Sequence, residues 1–164
     1  MLKIVVALIL LLSSGTLSAE AERLNVAQPD SIKFGQQLSI SEQALDNLCD
    51  TMSIREIKPA QIPGVLKRQM QLDCYGFMMA GKKRLAEFVY KDEQLLLVWI
   101  LVDKQELPEI ENAMVEMYGK AKYQSSAFSA FAEHRIALRK DIPEFLFYAP
   151  EASAQFEAWF SSAK

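Results

Sequence analysis

Two cysteines and a single histidine are the residues of this chain whose types most readily do chemistry: Cys49, Cys74 and His134. A cysteine can ligate a metal, attack a substrate or form a disulfide, and a histidine can act as a base or a ligand. One histidine and two cysteines do not complete a typical zinc site. No Gly-x-Ser-x-Gly motif supplies a nucleophile for His134. The sequence therefore predicts no catalytic residue, no metal site and no cofactor.

Two alternatives keep a chemical role for His134. The first is an enzyme of unfamiliar type whose site lies near this histidine. The second, more remote, is a copper carrier, because thioether sulfur and imidazole suit Cu(I). Its site would combine Met78, Met79, Trp99 and His134. Other methionines fall on the apolar faces of predicted elements, where methionine is an ordinary core residue.

The N-terminus has the three regions of a secretory signal peptide. Lys3 is the only charged residue among residues 1–19, an apolar run follows at 4–12, and small and polar residues come next. Cleavage after Ala19 or Ala21 is consistent with these small residues, so residues 1–21 are interpreted as the signal. The run is shorter than the roughly 20 residues that span a bilayer, and an uncleaved anchor is the alternative.

Export predicts a periplasmic or secreted protein, without lipid attachment because no cysteine lies near the cut. The formal net charge is −3, and loss of Lys3 makes it more negative. A nucleic-acid partner usually requires a basic surplus, so none is expected. No second apolar stretch is long enough for stable membrane insertion after cleavage. The oligomeric state stays open.

Residues 22–38 are predicted to be a lead-in segment, and residues 39–164 a single domain. A helix is predicted from Ser39, because Ser39 and Glu42 have the spacing of a capping box. The apolar residues that follow keep helical spacing: Leu45, Leu48, Cys49 and Met52. Cys49 is therefore expected on the buried face of this helix.

A strand is predicted over 67–78, after a loop at 57–64 that contains two prolines and a glycine. Its even-numbered residues are mainly apolar and include Cys74, whereas its odd-numbered residues are mainly polar. Two more strands are expected at 84–91 and 94–102, joined by a tight turn. The second is apolar on both faces, as in a covered central strand.

The rest of the chain predicts a helix at 105–119, a strand at 144–149 and a helix at 151–160. Residues 127–139 fit a strand, with a helix left open. The fold class is therefore α+β: an antiparallel sheet of four to six strands with two or three helices packed on it, and a strand–strand–helix repeat.

A disulfide between Cys49 and Cys74 is the favoured role for the cysteines. Export places the chain in an oxidising compartment, where an even cysteine count usually means disulfides. Both sulfurs are expected to face the core, one from a helix and one from a strand. Nothing nearby is arranged to lower a thiol pKa, which disfavours a redox pair.

The polar face of the 67–78 strand is the predicted binding surface. The predicted surface combines three residues of this strand with two arginines of the 127–139 segment: Gln69, Gln71, Tyr75, Arg135 and Arg139.

Four segments carry a resemblance: "LCDTMSIREI", "QLDCYGF", "AEFVYKDEQLLLVWIL" and "ALRKDIPEFLFYAPE". They resemble small secreted proteins of Gram-negative bacteria, a type that implies no catalytic residue. A helix and sheet tied by a disulfide is also similar, in architecture only, to beta-lactamase inhibitor proteins and outer-membrane assembly lipoproteins. Unlike those lipoproteins, this chain has no lipid-attachment cysteine. The predicted function is a non-enzymatic envelope module that binds another envelope protein or a small ligand.

Overall fold

The computed structural model of the protein describes residues 23–162. The predicted signal peptide lies outside the described residues. No helix within 23–162 is long and apolar enough to cross a membrane.

One antiparallel sheet of eight strands forms the centre of the fold, in the order β1-β2-β3-β4-β8-β7-β6-β5. The strands are β1 (Thr51–Ile57), β2 (Gln69–Met79), β3 (Lys82–Lys91), β4 (Gln94–Leu101), β5 (Tyr123–Gln124), β6 (Phe128–Phe131), β7 (Ile136–Arg139) and β8 (Glu144–Tyr148). The α+β class and the antiparallel sheet are confirmed. The predicted count of four to six strands is too low, chiefly because β1 and the two-residue β5 were not expected.

Three helices cover the sheet: α1 (Leu38–Leu45), α2 (Leu107–Tyr118) and α3 (Ser153–Ser162). One face, called the first face, packs against the lead-in segment, α1 and α2, which contribute Val26, Leu38 and Ile110 to its core. The other, called the second face, packs against α3 through Phe156 and Phe160. Burying both faces explains why β4 is apolar throughout.

The first helix is shorter than its sequence pattern indicates. It ends at Leu45, its N-cap residue is Gln37, and no side chain caps it. The predicted capping box at Ser39 and the placement of Cys49 on a helix face are therefore wrong. Residues 51–57 instead pair with β2 along seven positions, so β2 satisfies the backbone groups on that side of the strand.

The predicted disulfide is present. Cys49 and Cys74 are bonded, with their Cα atoms 5.3 Å apart. Cys74 lies on the first face and is fully buried. The bond ties the connection between α1 and β1 to β2, rather than the helix itself.

A bulge in β2 reverses the alternation of its side chains. The register shifts between Tyr75 and Phe77, and Gly76 adopts a φ of +85°. Beyond it Phe77 and Met79 are buried, whereas Met78 is 56% exposed. The bulge explains why the apolar Phe77 interrupts the polar positions in the sequence.

Gly76→Ala is expected to lower the free energy of unfolding by about 2 kcal/mol or more, from backbone strain and overpacking. A Cβ there would clash with Oδ2 of Asp50, whose Oδ1 accepts a hydrogen bond from Lys83. Urea unfolding measures the effect. Gly35→Ala is the matched control, since Gly35 has a φ of +78° with nothing within 4 Å of the added Cβ. If both variants lose the same free energy of unfolding, crowding of the added Cβ against Asp50 is not the cause.

The predicted helix at 105–119 is present as a short 3₁₀ turn at Lys104–Glu106 followed by α2, with Gly119 at the C-cap. Asp103 and Glu106 form a capping box. The Glu106 carboxylate also accepts hydrogen bonds from both terminal nitrogens of Arg84, at 2.8 and 3.0 Å. Because Arg84 is buried, this pair fixes the start of α2 on the sheet.

Residues 127–139 form two strands rather than one, with a 3₁₀ turn at Ala132–His134 between them. A three-stranded meander followed by a helix thus occurs twice, as β2–β4 with α2 and as β6–β8 with α3. The last strands of the two meanders, β4 and β8, pair at the centre of the sheet. The helices cover opposite faces, so the recurrence is one of order rather than of packing.

Candidate functional site

A cleft on the second face lies between α3 and the loop at 58–68. Its volume is about 360 Å³, and we call it the α3 cleft. Its lining combines aromatic, amide and charged side chains: Gln61, Ile62, Gln69, Gln71, Glu87, Val89, Leu97, Trp99, Arg139, Gln155, Phe156 and Trp159. Cavities of similar volume occur elsewhere on the surface, but a concave site with an apolar wall and a few converging polar groups is typical of ligand binding.

The aromatic wall comes from α3 and β4. Phe156 and Trp159 lie one turn apart on the helix, and the ring of Phe156 meets that of Trp99 edge-on at 6.3 Å. Trp99 and Trp159 are the two tryptophans of the chain. Both are only partly buried, so indole surface remains available within the cleft.

Polar side chains of β2 form part of the floor, and the structure buries them. Gln69 is 4% exposed and Gln71 7% exposed. The Gln69 side-chain oxygen accepts the backbone N–H groups of Gln61 and Ile62, at 2.8 and 2.9 Å. The amide of Gln71 donates to Asp73 at 2.6 Å. Gln69 is therefore the residue that holds the loop in place as a wall of the cleft.

The far end of the same loop is held by Asp92. Its carboxylate accepts the backbone N–H groups of Leu66, Lys67 and Arg68. These hydrogen bonds lower the pKa of Asp92. Asp92 and Glu93 both have positive φ, as a two-residue hairpin turn requires. The loop is thus fastened near both ends to the sheet that it covers.

Arg139 closes one end of the cleft. Its guanidinium carbon lies 5.8 Å from the ring centroids of both Trp99 and Trp159. The same group donates to Asp141 at 2.8 Å and to Glu144 at 2.9 Å. Burial, together with the charges of Glu87 and Asp141, raises the pKa of Glu144 to about 7 despite the opposing effect of Arg139.

Glu87 is the carboxylate of the cleft that has no counter-ion among residues 23–162. It is partly buried, and its cross-strand neighbours are Asp73 on one side and Trp99 on the other. Burial raises the pKa of Glu87 and the charge of Asp73 raises it further, against the opposing effects of the Arg55 charge and a hydrogen bond from Gln71. Asp73 itself pairs with Arg55 at 3.3 Å, and no cation comes within 4 Å of the Glu87 carboxylate in the described chain.

The structure brings together three of the five residues predicted to form the binding surface. Gln69, Gln71 and Arg139 line the α3 cleft. Tyr75 lies farther along β2, is 45% exposed and does not line it. Arg135 is exposed in the turn between β6 and β7, with a φ of +56°. The surface predicted as one polar face is therefore divided.

His134 occupies the turn between β6 and β7, where it is exposed. The strand predicted over 127–139 is therefore interrupted at this residue. Its ring lies 5.0 Å from that of Tyr118, beside a cavity of about 350 Å³ that Glu133 also lines. Met78 and Met79 line a separate cavity next to the lead-in segment, and Trp99 lines the α3 cleft. The residues suggested for copper are thus not assembled at one place.

Sequence reasoning did not select Glu87, Glu144 or Trp159 as site residues, and it considered Trp99 only for the copper alternative. Glu87 could have been noticed in the sequence, because it is a charged residue between the apolar residues of β3. No group of three or more His, Cys, Asp or Glu side chains within residues 23–162 is arranged to hold a metal ion.

Comparison with known proteins finds no matching family model, and no curated protein or solved structure is significantly similar to the chain.

Proposed function

We propose that this protein is an exported, periplasmic, non-enzymatic binding module, and that the α3 cleft is its binding site. Its ligand is a small molecule or a side chain of an envelope protein that enters the cleft. The observation that carries the proposal is the lining of this cleft, where an aromatic wall faces buried amides and a carboxylate without a counter-ion. The export signal in the sequence supports the location.

A pull-down from envelope extract tests the proposal. Gln155→Trp narrows the cleft from an exposed position of α3, so it should abolish capture of the partner or ligand while the fold persists. Gln43→Trp is the matched control, because Gln43 is exposed on α1 beside a different cavity. Equal capture by both variants, as identified by mass spectrometry, would move the binding site away from the cleft. Fractionation of the cell, with the mass of the mature N-terminus, tests export separately.

An enzyme remains the second candidate, favoured by two carboxyl groups of raised pKa: Glu87, which lines the cleft, and Glu144, which is bonded to the lining residue Arg139. A carboxyl group whose pKa is close to neutrality suits general acid–base catalysis. Product formation from a ligand captured by the wild type, and its loss with capture retained in Glu144→Gln, would favour this candidate over simple binding.

A further inference from the structure

We propose that the α3 cleft binds an organic cation, an ammonium or guanidinium group on an apolar stem, with Glu87 as its counter-ion and Trp99 beside it. The inference rests on the proposed function, because it assigns a ligand chemistry to the same cleft. It follows from the charges around the cleft, from the aromatic wall and from the position of Glu87 between them.

The charges of the cleft are paired except at Glu87. Arg55 pairs with Asp73, and Arg139 pairs with both Asp141 and Glu144. The partly buried Glu87 thus lies beside the acidic Asp73, and the nearby Arg55, whose charge opposes the rise in its pKa, is paired with Asp73. An ionised carboxylate removed from water is costly unless it is paired. A ligand cation would supply the missing charge and stabilise the ionised form of Glu87.

The aromatic wall suits the same ligand. Cations bind to the faces of indole rings, and both Trp99 and Trp159 keep part of their surface exposed in the cleft. The apolar stem of a ligand would pack on Phe156 and Val89, which line the same cleft. An anion is disfavoured, because both arginines near the cleft are already paired and Glu87 would repel it.

Fluorescence of the two tryptophans measures binding directly, since both line the cleft. The probes are n-butylammonium, Nα-acetyl-lysine amide and Nα-acetyl-arginine amide, with the neutral citrulline analogue as the matched control. We expect saturable changes with the cations and binding at least about tenfold weaker with citrulline, the effect of losing one charged hydrogen bond. A preference for the amide derivatives over butylammonium would indicate a protein side chain as the natural ligand, and the reverse order a free amine.

Glu87→Gln should weaken cation binding at least about tenfold, whereas Glu116→Gln, an exposed change on α2, should leave it unchanged. Wild-type affinity should fall as the pH drops through the raised pKa of Glu87, and Glu87→Gln should flatten that dependence. Equal binding of the citrulline analogue, or full binding by Glu87→Gln, would overturn the inference. Absence of cation binding while Gln155→Trp still abolishes capture would overturn it and leave the proposed function standing.

Discussion

Glu106→Gln is expected to lower the free energy of unfolding by about 3 kcal/mol, the low end for breaking a buried ion pair. The change leaves the guanidinium of Arg84 buried without an anion, because its remaining side-chain contact is the carbonyl of Met79. It also weakens the capping box at the start of α2, where Glu106 accepts the N–H of Asp103 at 2.9 Å. Urea unfolding at neutral pH measures the loss.

Glu109→Gln provides the matched control, since Glu109 is exposed in the first turn of α2 and should cost only a few tenths of a kcal/mol. The double variant Arg84→Met with Glu106→Gln should be less destabilised than the single change at Glu106, because no buried charge is left behind. If Glu106→Gln lowers the free energy of unfolding no more than Glu109→Gln does, the ion pair between Arg84 and Glu106 contributes little to stability.

The same pair should make the fold sensitive to acid. Hydrogen bonds from Arg84, and then from Lys82, hold the pKa of Glu106 well below its usual range. A carboxyl group with a depressed folded-state pKa stabilises the protein above its unfolded-state value, near 4.5, and this contribution disappears as the pH falls through the folded-state pKa. Glu106→Gln should therefore remove part of the decline in stability below about pH 4.5.

Loss of the disulfide is the second large effect that we expect. Replacing Cys49 and Cys74 together by alanine should lower the free energy of unfolding by about 3.5 kcal/mol, according to the chain-entropy model for a loop of this length. The cavity left at the fully buried Cys74 should add to this loss. Urea unfolding of the oxidised protein with and without a reductant measures the effect.

The double alanine variant is its own control, because a reductant should shift the wild-type midpoint and leave that of the variant unchanged. Hydrogen exchange should show the earliest loss of protection at the edge strand β1, which pairs only with β2. A wild-type urea midpoint that is unchanged by the reductant would contradict this expectation. Two reactive thiols in the unfolded, unreduced protein would contradict it as well.

Much of the fold follows from local patterns in the sequence. The strands β3 and β4 were predictable from their apolar residues and the tight turn between them, and α2 from its helical spacing, Pro108 and Gly119. The segment 51–57 was not, because Met52 continues the helical spacing of Leu45 and Leu48. Only pairing with β2 makes it a strand, and that contact joins residues far apart in sequence.

The candidate site was less predictable than the fold. The alternation of β2 identified Gln69 and Gln71, but not that α3 and the loop at 58–68 would cover them. Arg135 and Arg139 were predicted to share one surface, whereas Arg135 lies in the turn between β6 and β7 and Arg139 lies at the end of β7. A cleft assembled from β2, β3, β4, α3 and a loop depends on tertiary contacts that no local spacing encodes.

Each of α2 and α3 also contacts the meander that it does not follow, and this has a consequence for unfolding. The helix that follows the first meander reaches the second, where Glu111 accepts hydrogen bonds from Lys140 and Ser129. The helix that follows the second meander in turn packs on Trp99 of the first. The seam between β4 and β8 is therefore bridged on both sides, so neither half can keep its own core once the other has gone. We expect the described domain to lose its structure in one concerted step.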